Sequence, residues 1–98
     1  MTDKTSFVTN PATGDVIAYV ADLSVAETSA AVDAVYVAMA DWAAWTVKDR
    51  AVVLRKWYDL MLANADDFAT ILTTEMGKPW AEARGEIMHA ASFIEWFA

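Results

Sequence analysis

The residues of this 98-residue chain that are capable of chemistry are few and widely spaced. One histidine, His89, and no cysteine are present, so the sequence offers neither a thiolate nucleophile nor a cluster of soft metal ligands. Glu82 and Glu86 are one helical turn apart, a spacing at which two carboxylates serve a hard cation if other ligands are supplied. Solvated charges near the start of a helix explain both more simply, and we interpret them in that way.

The remaining polar candidates also have structural explanations. His89 stands between Met88 and Ala90, which indicates a packed or half-exposed histidine rather than one that lines a pocket built with further sequence. The pair at 66–67 (Asp-Asp) is typical of a helix start on a solvated face. Lys78 is expected to bind the last carbonyls of the preceding helix. The three glycines are too dispersed for a phosphate-binding loop: Gly14, Gly77 and Gly85.

Composition narrows the function classes further. A net charge of −7 disfavours nucleic acid and anionic membrane surfaces, because both require clustered Lys and Arg. The hydrophobic fraction of 57% exceeds the roughly 45–50% of an ordinary soluble domain. Since so short a chain has little interior, we expect part of this apolar surface to face another part of a larger protein. Residues 1–6 lack the apolar core of a secretion signal, and no run is long enough to span a bilayer, so a cytoplasmic location is expected.

The elements that must position these residues begin with a hairpin over residues 7–20. Two short runs rich in β-branched and aromatic residues flank the turn formers at 10–15. Ser24 and Glu27 form a capping box that starts a helix running to about Trp45. Its apolar stripe has helical spacing: Val32, Val35, Met39 and Trp42.

Thr46 is predicted to start a second helix, with Asp49 at its positive end. Asn64 and Asp67 indicate a fresh cap, so a break is expected near Asn64, and Gly77 suits the residue that closes a helix. One face of this stretch keeps helical spacing (Val53, Trp57, Met61, Ala65, Phe68, Leu72). Three of these side chains are predicted to lie on the buried side: Trp57, Phe68 and Leu72.

Pro79 is predicted to begin a last helix, which reaches Ala98 in mid-pattern without a closing signal. We therefore expect a truncation there. The chain as a whole is predicted to be mainly α with a short N-terminal β-hairpin, in one unit without repeats or linkers.

Several motifs now acquire a common explanation. The run Thr9-Asn10-Pro11-Ala12-Thr13-Gly14-Asp15-Val16-Ile17 resembles the opening hairpin of aldehyde dehydrogenases, and Glu75-Met76-Gly77-Lys78-Pro79 resembles their Glu-x-Gly-Lys-Pro junction. Residues 54–62, 64–67, 81–86 and 90–98 are similar to the succinate-semialdehyde branch in particular. The resemblance covers essentially all 98 residues and departs at Met88-His89, where an aromatic residue is expected.

The resemblance implies a larger α/β enzyme with a doubly wound cofactor domain that uses NAD or NADP and assembles as a dimer or tetramer. Residues 1–98 would be its N-terminal part, with residues 24–98 packing on the cofactor domain. In that family a cysteine thiolate attacks the aldehyde, and a thiohemiacetal is oxidised to a carboxylic acid. The resemblance implies that the nucleophile, the general base, the oxyanion asparagine and the dinucleotide loop all lie beyond this stretch, and the absence of cysteine agrees with that. No catalytic, cofactor-binding or metal-binding residue of the family is therefore assigned to this chain.

Two weaker implications concern particular positions. The final helix is expected to run beside the substrate tunnel, with His89 or Phe93 on its wall. A monovalent cation is expected near Val8, Thr9 and Glu75, since hard cations favour carbonyl and carboxylate oxygens.

Three classes of function remain open at this point. The chain is a structural, inactive segment of a dehydrogenase, a free-standing helical module that binds a partner through an exposed apolar face, or a small independent enzyme. The last is disfavoured because no nucleophile, metal cluster or phosphate loop is present. A segment separated from its domain is expected to self-associate through apolar surface, whereas a module should be monomeric and unfold cooperatively.

Overall fold

The structure, a computed structural model, describes residues 4–98. It contains a two-stranded hairpin followed by four helices, as the sequence predicts. Residues 1–3 belong to the segment in which no secretion signal was recognised, and they lie outside the described residues.

The hairpin comprises β1 (Thr5–Thr9) and β2 (Val16–Ala21), paired antiparallel with Phe7 opposite Tyr19. Backbone hydrogen bonds close the turn, with the Gly14 N–H donating to the Asn10 carbonyl at 2.7 Å. Gly14 has φ 77°, a conformation that a residue without Cβ adopts at little cost. The predicted hairpin is thus confirmed, with strands slightly longer than expected.

Helix α1 (Val25–Ala44) begins with the predicted capping box. The Glu27 N–H donates to Ser24 Oγ at 3.2 Å, and the Ser24 N–H donates to Glu27 Oε2 at 2.9 Å. At the other end the Arg50 guanidinium donates to the carbonyls of Ala43 (3.1 Å) and Trp45 (3.0 Å). This arginine lies on the next helix and supplies the positive charge that the last turn of α1 lacks.

Helices α2 (Val47–Ala63) and α3 (Ala65–Met76) are separated at Asn64, which confirms the predicted break. Thr46 caps α2 as predicted, and its Oγ1 accepts from the Asp49 N–H at 3.1 Å. The predicted side-chain cap at Asn64 is wrong. Its amide Nδ2 instead donates to the Leu60 carbonyl at 2.8 Å, so it closes α2 and leaves α3 without a side-chain cap.

Helix α4 (Trp80–Phe97) follows a tight junction. Gly77 has φ 78° and donates its N–H to the Thr73 carbonyl at 2.8 Å, which confirms its predicted role in closing α3. Pro79 occupies the N-cap and not the first helical position, because its ψ of 135° is extended; the predicted start was one residue early.

Helix α4 packs against both α2 and α3. The closest approaches are made by small side chains, and among the described residues those that are fully or nearly fully buried are four alanines: Ala65, Ala69, Ala83 and Ala91. Polar contacts border this interface, with Arg84 Nε 2.8 Å from Asp66 Oδ1 and Trp80 Nε1 donating to Thr70 Oγ1 at 3.3 Å. The backbones of α3 and α4 therefore approach each other closely, and small side chains rather than large apolar ones lie between them.

The molecule forms a single layer. Its extents are 48 × 36 × 14 Å, so the smallest is less than half of either of the others. The radius of gyration is 17.1 Å, whereas a compact domain of this length has about 13 Å. The accessible surface is 7536 Å², against about 5,500 Å² for a compact protein of this mass. A flat layer has two faces and little interior, which explains why so many apolar residues are exposed.

The predicted buried stripe of the second helix is wrong in part. Trp57 is 54% exposed and Phe68 38% exposed, whereas Leu72 is half-buried. The half-buried large apolar side chains of α2 are Met61, which belongs to the predicted stripe, and Leu54, Tyr58 and Leu62, which lie beside it. Both stripes have helical spacing, and α4 is the helix that packs against α2.

Candidate functional site

His89 lies on the exposed part of α4 and packs against an aromatic ring. Its ring centroid is 5.0 Å from that of Phe93, at an interplanar angle of 85°, an edge-to-face arrangement. The Ser92 hydroxyl donates to the His89 carbonyl at 2.6 Å and leaves the imidazole untouched. The contacts of His89 within residues 4–98 are thus an aromatic ring and a backbone carbonyl bond.

One member of each acidic pair has an ion-pair partner. Glu86 forms an ion pair with Lys78, and Asp66 forms one with Arg84. The prediction that Lys78 binds the last carbonyls of α3 is wrong, because its ammonium reaches forward to α4 and ties the junction to that helix. Within residues 4–98 no group of three or more His, Asp or Glu side chains is placed to hold a metal ion.

The glycines do not form a phosphate cradle in the described part of the chain. Gly14 lies in the hairpin turn, Gly77 ends α3 and Gly85 lies inside α4. None precedes a helix in the way that a dinucleotide-binding loop requires. We therefore assign no residue of this chain to NAD or NADP and derive no step through either.

The most prominent surface feature is the apolar side of α1. Helix α1 buries none of its residues, and the most extensive helix-to-helix contacts within residues 4–98 are those of α4 with α2 and α3. Five side chains at helical spacing line a groove there with the small Ala38 beside them: Val32 (63% exposed), Val35 (71%), Tyr36 (72%), Met39 (55%) and Trp42 (36%). We call these five residues the α1 face. An apolar surface of this kind marks a site that another surface covers.

A second apolar surface lies at the end of α4. Phe93, Trp96 and Phe97 are 56%, 83% and 73% exposed, and they line an open depression together with Ser92 and Glu95. Glu95 also forms an ion pair with Arg55 of α2, at 3.5 Å. Whether His89 or Phe93 borders a substrate tunnel depends on structure outside this chain and stays a prediction.

No helix within residues 4–98 combines the length and the apolar character that a membrane crossing needs.

The model of the aldehyde dehydrogenase family matches residues 1–98. The chain belongs to the aldehyde dehydrogenase family. This membership confirms the resemblance on which the sequence interpretation rests.

Several curated relatives act on semialdehydes. The chain is 55% identical over 95 residues to glutarate-semialdehyde dehydrogenase of Pseudomonas putida and covers 97% of its own length but 20% of that protein. It is 54% identical over 91 residues to the NADP-dependent succinate-semialdehyde dehydrogenase of Escherichia coli, with 93% and 19% coverage. The chain thus spans about a fifth of the length of these relatives.

Solved structures agree in fold. An aldehyde dehydrogenase from Brucella melitensis biovar abortus 2308 superimposes with a TM-score of 0.89 at 60% identity, covering 95% of this chain and 19% of that one. Succinate-semialdehyde dehydrogenase from Burkholderia pseudomallei gives a TM-score of 0.90 at 54% identity, with 96% and 20% coverage. The hairpin and the four helices are therefore the arrangement seen in these enzymes.

Sequence reasoning found most of the α1 face, since Val32, Val35, Met39 and Trp42 were recognised as one stripe. It missed Tyr36, which continues that stripe at the i+4 position from Val32 and could have been found by the same spacing. The sequence does not predict that this stripe stays exposed, because its exposure depends on how the helices pack.

Proposed function

We propose that residues 1–98 form the N-terminal part of an NAD(P)-dependent semialdehyde dehydrogenase and serve there as a structural segment. The observation that carries this proposal is the combination of a single helical layer with two uncovered apolar surfaces. Domains are normally built from two or more packed layers around a common core. A single layer at 54–55% identity to semialdehyde dehydrogenases is best explained as one layer of such an enzyme.

The α1 face would pack on the rest of the enzyme, within its cofactor domain. Covering one Val side chain contributes roughly 1.5–3 kcal/mol, so the five residues of the face are sufficient for firm attachment. Self-association through two α1 helices is disfavoured by charge. Residues 5–47 contain five acidic side chains and no Lys, Arg or His, so two copies of this region would repel each other.

The chemistry would be supplied outside this chain. The 98 residues contain no cysteine, so a thiolate that attacks the aldehyde would come from the remaining polypeptide, as would the groups that bind NAD or NADP. The substrate class would be a short aldehyde with a distal carboxylate, since succinate- and glutarate-semialdehyde dehydrogenases are among the relatives. A cytoplasmic location and a dimeric or tetrameric assembly complete the proposal.

An intact mass combined with an activity assay tests this function. The natural protein that carries these residues would be purified, weighed and incubated with succinate and glutarate semialdehydes, each with NAD and with NADP. We expect a mass far above 10.8 kDa and reduction of the nicotinamide with at least one of the two semialdehydes. A large, folded protein without activity on either substrate would contradict the proposed substrate class.

A free-standing interaction module is the second candidate, and the exposed α1 face favours it. It makes a different prediction for the isolated 98-residue chain, which should then be monomeric and unfold in one cooperative transition. We expect instead that the isolated chain self-associates weakly, lacks dehydrogenase activity and unfolds over a broad range. Analytical ultracentrifugation together with thermal unfolding distinguishes the two.

A further inference from the structure

The turn of the hairpin contacts the junction between α3 and α4. A Cβ placed on Gly77 would lie 3.0 Å from Pro11 Cγ and 3.8 Å from Pro11 Cβ. Two carbon atoms are at their optimal separation at about 3.5–4.0 Å, so the first distance is too short by a few tenths of an ångström. The Pro11 ring thus packs closely on the Gly77 backbone, and a methyl group at position 77 requires one of the two to shift.

Both partners in this contact are held rigidly. On the hairpin side, Asn10 donates its N–H to the Asp15 carbonyl at 2.9 Å, and its Oδ1 accepts from the Ala12 N–H at 2.9 Å. The proline ring itself fixes φ. On the helical side, the N–H of Gly77 binds the end of α3 and the neighbouring Lys78 pairs with Glu86 of α4. Neither side can yield easily to an added methyl group.

The rest of the hairpin is in part open to solvent within residues 4–98. One of its faces is exposed, with Phe7 65% and Tyr19 70% exposed, and the other turns the half-buried Val8 and Ala18 inward. A cleft of about 200 Å³ lies between β2 and α3, and it is lined by Ile17, Ala18, Thr70, Ile71, Thr74 and Glu75. The strand β2 therefore borders a cleft on the side of α3, while the turn makes close contact with the junction.

We propose that the contact of Pro11 with Gly77 is a latch that fixes the hairpin on the helical layer. When the latch is broken, the hairpin swings away from α3 as a unit. The latch joins the two motifs that carry the family resemblance, residues 9–17 and 75–79, so each motif is explained in part by the other. The inference concerns the position of the hairpin and is independent of the substrate and cofactor proposed above.

A labelling experiment on the whole polypeptide tests the latch. A cysteine is placed at the half-buried position 18 (Ala18→Cys), and the rate at which a thiol reagent labels that position is measured by peptide mass mapping. The rate is compared in four backgrounds: unsubstituted, Gly77→Ala, Pro11→Ala and the double variant. Two controls are included. Gly14→Ala has the same positive φ with no atom within 4 Å, and Val16→Cys reports on a β2 position that is already exposed.

The proposal predicts that Gly77→Ala raises labelling at position 18 by about tenfold, because an overpacked contact is costly. Gly14→Ala should change the rate by less than about twofold, since it adds only the φ > 0 penalty at the hairpin tip. In the Pro11→Ala background, Gly77→Ala should add little, because the nearest remaining atom is an ordinary 3.8 Å away. The labelling rate of Val16→Cys should be the same in all four backgrounds.

Equal effects of Gly77→Ala and Gly14→Ala would overturn the latch, because backbone conformation alone would then explain both. If Gly77→Ala prevents folding, the double variant decides: recovery of a folded protein supports the latch, and no recovery contradicts it. No step uses catalysis, so the outcome is separate from that of the semialdehyde assay.

Discussion

The α3–α4 pair and helix α1 are both rich in alanine, but only the α3–α4 pair contains fully buried residues. Four alanines of α3 and α4 are buried to 0–3% exposure (Ala65, Ala69, Ala83 and Ala91), whereas α1, which is also rich in alanine, buries no residue. The difference lies in partners and not in composition. Helices α3 and α4 meet each other within residues 65–97, whereas the α1 face stays largely exposed, with Trp42 in ring contact with Trp45.

The α3–α4 pair and helix α1 are therefore stabilised in different ways. The α3–α4 pair is closed by contacts that the chain supplies to itself, and it is bordered by the Arg84–Asp66 and Trp80–Thr70 contacts. Helix α1 depends on its caps, the Ser24–Glu27 box at one end and Arg50 at the other. An uncovered helix is marginal in water, so α1 is expected to need the rest of the enzyme.

The largest expected effect comes from the α1 face. The double substitution Val32→Ser/Val35→Ser should leave the stability of the isolated chain almost unchanged, because both side chains are already exposed. In the whole enzyme it should lower the free energy of unfolding by about 3–6 kcal/mol, since two buried valines are lost. Denaturant unfolding in both contexts measures the difference.

The matched control for this pair is Val37→Ser. Val37 lies on the same helix and is 73% exposed, but it does not belong to the α1 face. It should be tolerated better than the pair in the whole enzyme. Identical losses in the isolated chain and in the enzyme would contradict the assignment of this face as a covered surface.

Substitutions between α3 and α4 should behave differently. They should lower the stability of both the isolated chain and the whole enzyme. Ala83→Leu inserts three carbons where the exposure is 0%, and overpacking of this kind costs about 1–3 kcal/mol. The control Ala81→Leu places the same side chain on the exposed part of α4 and should be neutral within about 0.5 kcal/mol. The helical content and thermal midpoint of each variant provide the comparison, and equal midpoints would refute close packing at Ala83.

In the isolated chain, the helicity of α1 should depend more on its N-terminal cap than on the packing of its side chains. Ser24→Ala removes the hydroxyl that accepts from the Glu27 N–H and donates to Glu27 Oε2, and it should cost about 1 kcal/mol. The expected result is fraying of the first turns, seen as reduced helicity in circular dichroism. Ser29→Ala, inside α1, is the control and should preserve or slightly increase helicity.

The smallest effect is expected for an ion pair at the edge of the closed region. Arg84→Gln breaks a 2.8 Å contact with Asp66, but these side chains are 44% and 70% exposed. Exposed pairs contribute roughly 0–1 kcal/mol, and salt screens them. The difference between variant and unsubstituted protein should therefore vanish at high salt. A large loss that persists in high salt would indicate a structural role beyond charge.

Local signals in the sequence predicted the elements well. Ser24, Thr46 and Gly77 each marked a helix end correctly, because capping depends on residues within one turn. The family resemblance was also accessible, since its motifs are short and contiguous. The first and last residues of the strands and helices are therefore predicted to within one or two positions. The capping roles of Asn64 and Pro79 are not.

Packing was less predictable because it depends on distant partners. Helix α2 carries two apolar stripes, and the sequence alone could not tell that Leu54 and Tyr58 face α4 while Trp57 faces outward. The contact of Pro11 with Gly77 was missed for the same reason, as the two residues are far apart in the chain. No catalytic or cofactor residue was assigned from the sequence, and none has been assigned from the structure.

A chimera tests the central claim most directly. Residues 1–98 would replace the matching N-terminal fifth of the Escherichia coli succinate-semialdehyde dehydrogenase, which is 54% identical over the match. If these residues are the structural layer of such an enzyme, the chimera should fold and oxidise succinate semialdehyde within about tenfold of the parent rate, a cost of about 1.4 kcal/mol or less. Val32→Ser/Val35→Ser in the chimera should destabilise it. A folded chimera that has lost the activity, or one that is indifferent to the α1 face, would contradict the account.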